Sequence, residues 1–303
     1  MDRLNVGIFV PSAAMVVAQA AGFFAAQDLA VTYERVESSE AQFRDLAGGR
    51  YQFVHTAFDN VPNYRLNRQN PLGDRFQVSV VFALDRGMDL TVVGAPEVES
   101  LADLRGRVVS VDALDTGFAF VLFDILASAG LERDVDYEVV RHGGVASRFD
   151  RLLAGDASAT LLSNGLELVA MARGLNRLAR YEDVVTPYLG GVIAAADAWL
   201  DGHGKLASRF RAAYEEALRF VLDPVNRTDV VAQVAAARGI PVERSEAIVG
   251  AELSDTGLAR STSIDPRAVE TVLRLRAAWG GFEEELDIAA LASADSELFA
   301  RER

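Results

Sequence analysis

The stretch Val108-Val109-Ser110-Val111-Asp112-Ala113-Leu114-Asp115-Thr116-Gly117-Phe118-Ala119-Phe120 decides how the chain is read. Its β-branched opening reads as a buried strand. A turn follows, then a helix whose apolar face carries Val121, Leu122, Ile125 and Leu126. Asp115 or Thr116 is the natural N-cap, and Gly117 lets the backbone come close to whatever lies above it. Such a turn presents free N–H groups and a positive helix end to the crevice beyond the strand's carboxyl edge. Open α/β sheets bind ligands at that edge.

Working outward, the pattern alternates: strand 107–112, helix 117–129, strand 136–141, helix 145–154, strand 158–162 and helix 164–172. An earlier series echoes it, with strands at 4–10, 30–36 and 52–54 and helices at 15–27 and from Ser38-Ser39 to Gly48-Gly49. Strands follow at 76–84 and 90–93, and Asp85-Arg86-Gly87-Met88-Asp89 between them reads as a crossing between lobes. A strand at 188–195 returns the chain to the first lobe. Amphipathic helices at 197–222, 225–238, 242–253 and 266–278 complete it, with Pro224, Pro241 and Pro266 near helix starts. The expected architecture is α/β, with mixed, mostly parallel sheets. Residues 1–86 and 189–303 form a discontinuous first lobe with a helical C-terminal tail, and 87–188 an inserted second lobe.

Half of the 303 residues are hydrophobic, enough for a large core. The net charge of −14 and the lack of any basic block argue against nucleic acid and anionic membranes as partners. No apolar run is long enough to span a bilayer, so no membrane insertion is expected. Without cysteine there is no disulfide and no thiolate nucleophile. The three histidines lack metal-ligand spacing, and neither metal nor cofactor is expected. Met1-Asp2-Arg3 leads straight into a strand. The expected location is the cytoplasm if Met1 is the native start, and the periplasm or exterior if the chain is a processed form.

Four segments carry a resemblance. They are Ser100-Leu101-Ala102-Asp103-Leu104-Arg105-Gly106-Arg107-Val108-Val109-Ser110-Val111, Leu126-Ala127-Ser128-Ala129-Gly130-Leu131, Arg148 with Leu152-Leu153-Ala154-Gly155-Asp156-Ala157-Ser158-Ala159, and Tyr51-Gln52-Phe53-Val54-His55-Thr56-Ala57. In order and spacing the chain resembles the type II periplasmic solute-binding proteins, in the branch that binds sulfonates, taurine, nitrate and thiamine-pyrimidine precursors. The resemblance implies two lobes joined by two crossovers and closing on a small molecule. It also implies service to an ABC importer, with its permease as partner. The same scaffold hosts enzymes. A desulfinase of that group needs a cysteine, and a pyridoxal enzyme needs a Schiff-base lysine. The only lysine, Lys205, lies outside both cleft series.

Strand ends and helix starts nominate the cleft residues: Ser12, Ala13, Ser38, His55, Thr56, Asp59 and Asn60 in the first lobe, and Asp112, Thr116, Gly117, Phe118 and Asn164 in the second. Ser12 and Ser38 also suit plain N-caps. His55 and Asp59, four apart, would share a helical face and could work as an acid/base pair. Asp112, directly after an apolar strand, suits a ligand cation or hydroxyl, or else a turn cap. Phe118 can stack on a flat ligand. With carboxylates and no evident arginine pair, the expected ligand is neutral or carries an amine. Three functions remain: hinge-closing capture of a small organic molecule, a cofactor-independent lyase or decarboxylase using His55, Asp59 and Asp112, or a cytoplasmic ligand sensor that would need a partner.

Overall fold

The computed structural model describes residues 1–301 other than Met88, Asn164 and Glu283. The first part of the chain supplies β1 (Asp2–Ile8), α1 (Ala13–Ala20), α2 (Phe23–Ala26), β2 (Leu29–Arg35), α3 (Ser39–Ala47), β3 (Phe53–Ala57), α4 (Asn60–Leu66) and β4 (Val78–Ala83). The second supplies β5 (Thr91–Gly94), β6 (Arg107–Val111), α5 (Gly117–Ser128), β7 (Tyr137–Arg141), α6 (Val145–Ala154), β8 (Ala159–Leu162), α7 (Leu166–Ala172) and β9 (Asn176–Arg180). The return and tail are β10 (Gly191–Ala196), α8 (Asp197–Leu222), α9 (Arg227–Arg238), α10 (Val242–Glu252), α11 (Pro266–Trp279) and α12 (Ile288–Ala292).

The strands form two five-stranded sheets, β2-β1-β3-β10-β4 and β7-β6-β8-β5-β9. In each sheet the fourth strand in this order runs antiparallel to its neighbours. Those strands, β10 and β5, are the two that have just crossed from the other lobe, so they enter from the cleft side and run the opposite way. Alternation puts neighbours on opposite faces. Phe53 packs under α1 and α8 with Phe82, Phe210 and Tyr214, while Val54 faces the core that continues into the second lobe.

The expected strand–turn–helix at 107–129 forms as β6 and α5, with Thr116 as N-cap. Three expectations need correction. The helix at 15–27 breaks at Gly22, whose φ of +79° ends one helix and starts the next. The strand expected to end at Val54 runs to Ala57, because β10 pairs with it through His55 and Thr56. β9 was missed altogether: Asn176-Arg177-Leu178-Ala179-Arg180 has no β-branched residue and pairs only at the sheet edge.

The two passages between lobes run side by side. Asp85 O accepts from Gly190 N at 3.1 Å, and Arg86 N donates to Gly257 O at 2.9 Å, so a piece of the tail lies alongside as well. The tail touches both lobes: α8 and α9 pack on α1, whereas α11 packs on α5 of the second.

Candidate functional site

Between the facing strand ends lies a cavity of about 230 Å³, with both lobes in its wall. Each lobe brings a helix start to it. Ser12 caps α1, its Oγ accepting from Met15 N at 3.3 Å. Thr116 caps α5, accepting from Ala119 N at 3.3 Å and donating to Asp112 Oδ1 at 2.8 Å. On β3 and α4, Thr56 Oγ1 accepts from Asn60 Nδ2 at 2.8 Å, and the same amide reaches Ser39 Oγ at 3.3 Å. Phe9 and Val10, at the tip of β1, are exposed apolar residues at the rim, and Phe118, Leu90 and Val145 extend the apolar lining.

Eight of the expected residues meet at this cavity: Ser12, His55, Thr56, Asn60, Asp112, Thr116, Gly117 and Phe118. Asn164 lies outside the described residues. Ser38 is an exposed N-cap of α3, accepting from Ala41 N at 3.1 Å, and it is Ser39 that faces the cavity. Ala13 is buried, and its N–H is taken by Glu252 Oε2 at 2.6 Å. Asp59 is turned away. Its carboxylate is clasped by Arg276, Nε to Oδ1 at 2.7 Å and Nη2 to Oδ2 at 2.6 Å. The supposed His55–Asp59 pair therefore does not form. His55 sits on a strand and Asp59 just before α4, so helical spacing never applied between them.

Four charged residues in the wall were missed: Asp85, Arg148, Arg238 and Glu252. Asp85 follows an apolar strand directly, as Asp112 does, and the rule that nominated Asp112 would have found it. Arg148 lies within a quoted motif. It donates to Thr160 Oγ1 at 3.2 Å, Gly143 O at 2.8 Å and Leu161 O at 3.0 Å. Arg238 and Glu252 come from the tail, where no local spacing links them, and pair at 2.7 Å. The expectation of a cleft with no evident arginine pair is thus corrected: Arg148 and Arg238 both line it.

Burial governs the electrostatics. It pushes the Asp85 carboxyl up, against amide hydrogen bonds from Gly191 and Gly87 that pull it down. It pushes Glu252 up too, against Arg238 and the Ala13 amide. It pulls Arg148 down, with Asp112 opposing. His55 is driven down to about 4 by burial, and its enclosed Nδ1 has no partner among the described residues. The imidazole is therefore neutral at pH 7.

A base whose folded value lies below its unfolded one costs stability as pH falls, because the unfolded chain takes up the proton first. His55 contributes such a loss between about 6.5 and about 4. Glu167, pushed up to about 7 by burial, acts in the opposite direction over 4.5 to 7, so the two must be separated. The urea-derived stability gap between wild type and His55→Gln is expected to shift against wild type as pH drops from about 6.5 to about 4. A gap that stays level across that window would refute the neutral, enclosed imidazole.

A larger cavity, about 790 Å³, lies outside the cleft beside α8 and β4. Five of its charged residues are matched to one another: Arg65 to Asp197 and Glu297, and Arg211 to Glu215. The smaller cavity, walled by both lobes and holding unmatched polar groups, is the better candidate.

A family model described as NMT1/THI5 like matches residues 11–226. No curated protein sequence matches the chain. Among solved structures, the periplasmic nitrate-binding protein of Synechocystis is 13% identical over 96% of this chain and 85% of its own, at a TM-score of 0.79. The periplasmic aliphatic sulphonate-binding protein of Escherichia coli is 16% identical over 95% and 96%, at 0.75. The ligand-binding component of an ABC-type import system from Staphylococcus aureus is 11% identical over 99% and 98%, at 0.76. Likeness at these identities speaks to fold, and the fold is the two-lobed periplasmic-binding-protein fold expected from the lobe motifs.

Proposed function

Because the chain belongs to the NMT1/THI5-like family, we propose that it is a solute-binding protein that captures a small organic molecule in the cleft between its lobes. The observation that carries this is the shared wall: strand tips and helix starts from both lobes converge on one cavity, and the two crossing segments, joined by Gly190 N and Asp85 O, contribute to the same wall. Such an arrangement closes by hinge motion and buries its ligand on closing. The cavity, at about 230 Å³, is smaller than the roughly 300–1,000 Å³ of drug-sized sites, which suits a small solute. Likeness to a ligand-binding component of an ABC-type import system supports an ABC-type permease as its recipient, and likeness to periplasmic binding proteins supports work outside the cytoplasm for a processed form. No described helix is long and apolar enough to cross a membrane.

The lyase or decarboxylase reading is weaker, since its acid/base pair is taken apart by Arg276. Native mass spectrometry of protein purified from its own host identifies what the cleft carries. That compound is expected to come back unchanged after incubation, and its conversion would favour an enzyme. Its calorimetric affinity is expected to fall roughly tenfold, about 1.4 kcal/mol, in His55→Ala and again in Asp112→Ala, with the urea midpoint held. Unchanged affinity in both variants would overturn the cleft assignment.

A further inference from the structure

Asp85 is the one charge in the cavity wall without a counter-charge among the described residues. Glu252 is paired with Arg238. Asp112 faces Arg148, whose three hydrogen bonds to the second lobe hold it in place. Asp85 is 6% exposed, and both of its hydrogen bonds fall on one oxygen: Oδ1 accepts from Gly87 N and Gly191 N, each at 2.9 Å. Oδ2 has no partner among the described residues and is not sealed from the cavity. Gly191 keeps the approach clear, for a methyl there would lie 2.2 Å from Asp85 Oδ2 and 3.0 Å from His55 Nε2.

A buried carboxylate held by two amides and open on its other oxygen is built to receive a donor, best a charged one. The neutral His55 ring beside it does not repel a cation. The sites an anion would use are partly filled from within. The α1 start, normally ready for an anion, already holds Glu252 through the Ala13 amide. At the α5 start the Asp112 carboxylate is joined to the capping Thr116. Phe9, Val10 and Phe118 offer apolar contact for an organic body.

We propose that the cavity takes a small organic cation bearing N–H groups, an amine or amidine, whose charged end docks on Asp85 Oδ2. This rests on the solute-capture reading and narrows it.

The test uses four probes of similar size on the full chain: benzamidine and benzylamine as cations, benzamide as a neutral control, benzoate as an anion. Affinity is read by calorimetry and thermal shift. Both cations are expected to bind at least roughly thirty-fold more tightly than benzamide and benzoate. Asp85→Asn, which keeps an oxygen for the Gly87 and Gly191 amides, is expected to erase that preference. The wild-type ranking needs no variant and stands even if the substituted chain folds poorly. Equal binding of benzamidine and benzamide, or benzamidine affinity unchanged in Asp85→Asn, overturns the proposal. Benzoate binding that is lost in Arg148→Ala overturns it too, and leaves solute capture intact. Silence from all four probes overturns the cation assignment, and if the protein from its host is also empty, solute capture falls with it.

Discussion

Replacing Arg276 by alanine is expected to lower stability by about 3–5 kcal/mol, seen as a large drop in the urea midpoint. The side chains of Arg276 and Asp59 are 2% and 1% exposed. The guanidinium binds both oxygens of Asp59, donates to Asn63 Oδ1 at 3.0 Å and to Asp115 O at 3.0 Å, and lies 5.0 Å over the Phe120 ring. Its partners belong to α4 in the first lobe and to the turn before α5 in the second, while it rides on α11 in the tail. Alanine would leave a carboxylate buried with no counter-ion. Most of the cost comes from that orphaned charge, so Asp59→Leu combined with Arg276→Met is expected to recover much of the loss. A shift below about 1 kcal/mol for the single variant would show that water reaches Asp59 and that the pair is not a clasp.

Gly117→Ala is expected to cost about 1–3 kcal/mol, although alanine is the better helix former. An added methyl would lie 2.6 Å from Asp59 Cβ and 2.9 Å from its Cγ. Elsewhere a side chain could swing aside, but Asp59 is pinned by Arg276. The strain must therefore go into the contact between lobes. Gly202→Ala is the control, since nothing lies within 4 Å of its added carbon on α8. That variant is expected to be neutral or slightly stabilising. If Gly117→Ala unfolds at the same urea concentration as Gly202→Ala, the lobes do not meet at Gly117 as described.

The close approach at Gly117 was legible in the chain, but not what approaches it. Strand, turn and helix at 107–129 are local matters of β-branching, capping and period, and they formed within a residue or two of the expected bounds. For Asp59 the four-residue spacing to His55 misleads, because it runs across a strand end rather than along a helix. Its true partner lies 217 residues away, where no periodicity points. Leu84-Asp85 repeats the pattern of Val111-Asp112, but Asp85 lies in a segment that reads as a crossing between lobes rather than as cavity wall. Arg238 and Glu252 were invisible for a different reason. The tail helices read as amphipathic cover, and only the return of α10 to the start of α1 turns two of their polar residues into cavity wall.

That return of the tail has a mechanical consequence. The tail helix α11 carries Arg276, which grips Asp59 in the first lobe and the Asp115 carbonyl in the second, so any swing of one lobe against the other must carry this helix along or loosen its hold.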